Sequence, residues 1–183
     1  SSIDQDYRAV GRHAGGLLSG RHHRHIALLG LKQPVVGDRE TEEGFRSALT
    51  TVSGTRLHIA RHDGSRADIY HQLDLLLKRR PAITALFIYK TSAELTVLIR
   101  LLQHGVRIPE DLSVLVRDES GYFDALPFDL AHYRIRPAGI VDHAIKQIEQ
   151  FVSSPSLGLS STRIISQFHE GTTVARLASV EDR

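Results

Sequence analysis

Short apolar runs alternate along this chain with longer stretches in which apolar residues return every three to four positions. The runs at 25–30, 56–60, 83–88 and 112–116 are short, apolar and bounded by turn residues, which predicts buried strands. The stretches at 6–19, 38–52, 65–79 and 92–104 carry the longer period of amphipathic helices. Strand and helix therefore alternate regularly. That order predicts a three-layer α/β/α fold, with a parallel sheet covered by helices on both faces and joined by right-handed crossovers.

The sharpest punctuation lies between the fourth helix and the fourth strand. Gly105 stands where a helix needs a left-handed terminal residue, Pro109 prevents the helix from resuming, and Ser113 to Val116 form the strand. Asp118 and Glu119 follow at the carboxyl end of that strand. In open parallel sheets this is where ligands bind. Beyond it the pattern changes: 117–129 reads as a loop broken by Gly121 and Pro127, and a short strand is expected at 130–135. Pro137 then opens a helix to about Val152, 153–161 reads as a surface loop, and RIISQF predicts a last strand. The tail from Arg176 is expected to fray.

Composition narrows the function classes. With 183 residues, 41% of them hydrophobic, the chain can bury one substantial core, and no apolar run approaches the roughly 20 residues of a membrane helix. Without cysteine there is no disulfide, thiolate metal site or cysteine nucleophile, and the expected location is the cytoplasm. The net charge of +2 is not gathered into a basic stripe, so a nucleic-acid face on this chain is not expected.

The stretch from Thr84 to Asp118, with Gly105, Pro109, Asp111, Ser113 and Val114 at its motif positions, resembles the effector-binding core of the lactose-repressor and galactose-repressor transcription regulators. Asp4, the segment Gly20 to Gly30, TEEGFRSAL at 41–49, Pro127, Pro137 and Ala144 extend the similarity over nearly the whole chain. The resemblance implies a periplasmic-binding-protein-like fold of type I, cut mostly to its second subdomain. Residues 1–24 would be a crossing helix and linker from a missing first subdomain, 25–175 the effector-binding subdomain and 176–183 a tail. The implied function is the sensing of a small sugar or sugar-like effector by a homodimeric bacterial regulator. DNA would be bound through a missing amino-terminal domain, with a winged-helix part of the gluconate-repressor type left open.

The same resemblance makes Asp118 a ligand-binding aspartate. The family's helix-start arginine corresponds to Thr41, with Arg39 two residues earlier, and its frequent Asn-Asp pair corresponds to Lys90 and Thr91. The candidate ligand residues are thus Asp118, Arg39, Lys90, Thr41 and Glu119. Arg39, Lys90 and Arg117 would add positive charge near the cleft and suit an acidic or phosphorylated sugar better than a plain one.

Other chemistry is less well supported. His22, His23 and His25 invite a metal reading, yet residues entering a strand alternate between its faces, so no metal site is expected. RHDGS at 61–65 has the look of a His-Asp pair but is ordinary turn chemistry. No nucleophile elbow, Walker loop or dinucleotide fingerprint occurs, which disfavours an enzyme, and no cofactor is implied. The alternative function is a solute-binding protein of a sugar transporter, which shares the fold. The amphipathic helices at 38–52 and 92–104 are expected to pack on the core, with one apolar face available for a dimer.

Overall fold

The computed structural model describes residues 3–89, 93–135, 137–153 and 161–178. Its centre is a four-stranded sheet of β2 (His25–Leu31), β3 (Arg56–His62), β4 (Ala85–Ile88) and β5 (Ser113–Val116). The strands run in the order β3-β2-β4-β5 and every pairing is parallel. Leu29 lies opposite both Ala60 and Ile88, and Ile88 opposite Val116. All four carboxyl ends therefore emerge on one rim.

Helices cover both faces because both faces of the strands are apolar. Val10, Ala14 and Leu18 of α1 (Tyr7–Gly20) and Phe45 and Leu49 of α2 (Val36–Leu49) pack with Ile26, Leu28, Ala85, Phe87 and Leu115. On the other face, Ile69, Leu73 and Leu76 of α3 (Arg66–Leu77) and Val97, Leu98 and Leu101 of α4 (Glu94–Gln103) meet Ala27, Leu29, Leu86, Ile88, Val114 and Val116. Each such buried leucine, isoleucine or phenylalanine stabilises the fold by roughly 1.5–3 kcal/mol. Residues 1–24, assigned from sequence to a crossing segment, thus include a helix that shares a core with β2.

Local chemistry sets the helix ends. Asp6 caps α1 by accepting the Ala9 N–H at 2.8 Å, and Ser65 caps α3 by accepting the Asp68 N–H at 3.2 Å. Gly105, with φ of 66°, ends α4 in the left-handed region as its position predicts. Two glycines let α1 and α2 approach: a Cβ on Gly11 would overlap the Thr41 carbonyl oxygen, and one on Gly44 would overlap that of Arg8.

Around this body lie two small sheets. β1 (Ile3–Gln5) pairs in parallel with β7 (Thr162–Ile164), and β6 (His132–Arg134) pairs antiparallel with β8 (Gln167–His169). RIISQF, expected to form one strand, is divided between β7 and β8. The strand expected at 130–135 is only three residues long, and β1 was not expected at all. Strands this short offer too few alternating positions to leave a periodic signal. A bridge between Leu115 and Ala131 joins β6 to the main sheet. Thr173 reinforces it, its Oγ1 donating to the Val114 carbonyl at 2.7 Å and accepting the Ala131 N–H at 2.9 Å.

The helix α5 (Pro137–Ser153) presents Val141, Ile145, Ile148 and Val152 to solvent, a row at intervals of four, three and four. No helix among the described residues is long and apolar enough to cross a membrane.

Candidate functional site

The rim at the carboxyl ends of the strands gathers the charged residues. Arg117, just past β5, is buried, and its Nη1 donates to Asp38 Oδ1 at 2.7 Å and to Thr41 Oγ1 at 3.3 Å. Its Nε donates to Asp118 Oδ2 at 2.9 Å, and its guanidinium carbon lies 5.0 Å from the centre of the Tyr7 ring. Burial opposes the charge of Arg117, but Asp118 and Asp38 more than offset it, and the pKa is raised. The phenol of Tyr7 is also raised, first by burial and then by Asp4.

α2 supplies two of these groups because its first turn ends at the rim. Asp38 is fully buried, and its Oδ2 accepts the Val35 N–H at 3.2 Å, so one carboxylate both closes the helix start and pairs with Arg117. Thr41, one turn on, donates to the Gly37 carbonyl at 2.8 Å. An ion pair of this kind is worth keeping intact, since removing one partner leaves a buried charge uncompensated.

A cavity of about 220 Å³ opens beside this cluster, lined by Gln5, Asp118, Glu119, Tyr133 and Ile135. Asp118 is partly exposed and sits between that cavity and Arg117. Glu119 is exposed, 3.6 Å from Arg134 Nη2 and 3.7 Å from His132 Nε2. It also borders a second cavity, about 360 Å³, with Ser120, Asp129, His132 and His169. The fold thus brings together Asp118, Thr41 and Glu119. Arg39 is exposed on α2, and Lys90 lies outside the described residues. Arg117, expected to add positive charge to the cleft, is instead buried between two carboxylates.

Two further parts of the rim were not foreseen. Tyr89, wholly buried, donates from its hydroxyl to Glu42 Oε2 at 3.3 Å, and Arg61 donates to both at 3.2 and 2.5 Å. Burial first, and then Glu42, push the Tyr89 phenol up to about 12. Glu94, the first residue of α4, is also wholly buried and receives hydrogen bonds from Ser120 and Tyr122. An acidic residue in a first helical turn was the only sequence signal for Asp38 and Glu94, and that signal ordinarily marks a solvated charge.

The histidines take structural places. His23 is buried, with Nδ1 3.0 Å from Thr84 Oγ1 and Nε2 3.0 Å from the Ala175 carbonyl, and burial holds its pKa low. His25 stacks on His58 with ring centres 6.3 Å apart. In RHDGS, His62 Nδ1 accepts the Gly64 N–H at 3.1 Å and Asp63 Oδ1 accepts the Ser65 N–H at 2.8 Å, which is the chemistry of a turn leading into α3.

The arrangement is a polar rim: carboxylates and hydroxyls held in place behind a small open cavity. Known structures share the fold. A LacI family transcriptional regulator from Enterococcus faecium with bound ribose superposes with a TM-score of 0.82 at 21% identity, covering 96% of this chain and 65% of that one. The Escherichia coli transcriptional repressor ascG gives 0.78 at 18% identity, covering 93% of this chain and 63% of that one. A LacI family regulator from Arthrobacter sp. FB24 in complex with lactose gives 0.77 at 17% identity, with 94% and 65% covered. This chain spans less than two thirds of the length of each. No curated protein matches it by sequence. Residues 16–173 match the sequence profile of the periplasmic binding protein-like domain. On that match over most of its length, the chain belongs to the periplasmic binding protein-like domain family.

Proposed function

We propose that this chain is the effector-sensing part of a bacterial transcription regulator of the LacI type, and that it binds a small sugar or sugar derivative. Asp118 carries the proposal. It is a partly exposed carboxylate at the carboxyl end of β5, lining a cavity and fixed from behind by Arg117. A hydroxyl bonded to such a charged group contributes roughly 1.5–3 kcal/mol. In this reading Thr41 and Asp38 position Arg117, Glu119 forms the mouth of the site, and Arg39 and Lys90 remain secondary candidates.

The fold supports the reading, since regulators of the same architecture hold ribose and lactose. A second lobe, supplied by sequence outside this chain, would close over the effector and favour one arrangement of a homodimer. DNA would be reached through a domain that is also outside this chain. No catalytic role is proposed.

Calorimetric titration of the full-length protein with ribose, lactose and glucose tests this. At least one sugar is expected to bind, and Asp118→Asn is expected to weaken it by roughly 1–3 kcal/mol while the fold survives, because Asp38 still pairs with Arg117. Unchanged affinity together with a large loss of stability would make Asp118 a structural residue.

A further inference from the structure

We propose that Glu94 is a positioning residue for this rim, a protonation latch that holds the loop bearing Asp118 and Glu119 against the start of α4. Its link to effector binding rests on the function proposed above, but the latch itself does not.

Three contacts pin the loop between β5 and Phe123. At its start Arg117 is fixed to Asp38, and at its end Phe123 is sunk in the core beneath α4, with the Tyr122 ring edge-on to it at 5.1 Å. Between them, Glu94 Oε2 accepts the Ser120 hydroxyl at 3.1 Å and the Tyr122 hydroxyl at 3.0 Å. The other oxygen, Oε1, is buried with no hydrogen-bond partner among the described residues. An ionised carboxylate normally spreads its charge over several donors. Here both donors serve one oxygen while, among the described residues, its buried twin has none, so a charge on this carboxyl is only partly compensated.

The surroundings agree. Burial acts first on Glu94 and lifts its pKa to about 7, with Asp118 adding to the rise while Tyr122, Ser120 and Arg117 oppose it. Asp118 and Arg117 reach it from the end of β5, and Ser120 and Tyr122 from the loop itself. Arg117 already serves two carboxylates, and among the described residues no ion pair joins a cation to Glu94. Raising the pH through neutrality puts a charge on a buried carboxyl of which one oxygen has no donor among the described residues. The packed arrangement is then disfavoured, and the loop loosens to admit water. Asp118 loses its fixed position as a result.

Amide hydrogen exchange on the whole chain at pH 6 and pH 8, corrected for intrinsic exchange, tests the latch without any ligand. Protection of residues 118–126 is expected to fall at least threefold between the two pH values, while that of β2 stays constant. Glu94→Gln keeps the shape but cannot ionise, and the pH step should disappear. Equal protection at both pH values in the parent, or a step that persists in Glu94→Gln, overturns the proposal. The double variant Ser120→Ala/Tyr122→Phe removes both donors and leaves the carboxyl. Unchanged protection of the same loop at pH 6 in that variant would overturn the latch even if Glu94→Gln failed to fold. Should no sugar bind the full-length protein, the sensing function fails while the exchange result still stands.

Discussion

The carboxyl of Glu94 has an ordinary pKa of 4.5 and one of about 7 in its buried place beside Ser120 and Tyr122, so folding and proton binding are linked. Between these values the unfolded chain has released its proton and the folded chain has not. Stability from this group is therefore complete below about pH 4.5 and is lost as the pH rises to about 7, a change on the order of 3 kcal/mol. The histidines His13, His23, His58 and His62 work the other way, because partial or full desolvation lowers their pKa values and the unfolded state takes up their protons first on acidification. Urea unfolding at pH 5 and pH 8 separates the two. The parent minus Glu94→Gln difference should shrink on going from pH 5 to pH 8, and a difference independent of pH would contradict the assignment. The place of Asp118, just past β5, was legible in the sequence from the apolar strand before it. Glu94 was not, because a glutamate opening a helix looks the same in sequence whether its side chain meets water or the core.

At the scale of elements, the contact of α1 with α2 decides where Asp38 and Thr41 stand. Gly44 sits against the Arg8 carbonyl, where an added methyl group has no room. Gly44→Ala is expected to push the helices apart at a cost of about 1–3 kcal/mol, and to weaken effector binding because Asp38 and Thr41 ride on the displaced helix. Thermal unfolding and titration together check this, and an undiminished melting temperature would show that the helices have slack. The five helices were legible because their apolar periods extend over many residues, and the four central strands because each is a short apolar run bounded by turn residues. The three-residue strands were not. Their pairing is decided by long-range partners, such as Thr173 between Val114 and Ala131, and no local pattern encodes those partners.

At the scale of the whole molecule, the layered architecture was legible from the alternation of strand and helix, and so was the rim that holds the candidate site. The electrostatic character of that rim was not. Arg117 was counted with Arg39 and Lys90 as adding positive charge to the cleft, whereas its charge is taken up by Asp38 and Asp118. Only the three-dimensional pairing of residues far apart in the chain reveals this.

The row Val141, Ile145, Ile148 and Val152 on α5 bears on how the purified chain behaves in a test tube. A continuous apolar strip in water attracts its own kind, and its colloidal cost grows with concentration. Sedimentation velocity should show weak, concentration-dependent self-association of the isolated chain. Ile148→Lys with Val152→Glu should return it to monomers with little change in unfolding, since both side chains are more than half exposed. If the parent stays monomeric at high concentration, the strip is innocuous. If it does not, these two positions are where a soluble version of the chain should first be sought.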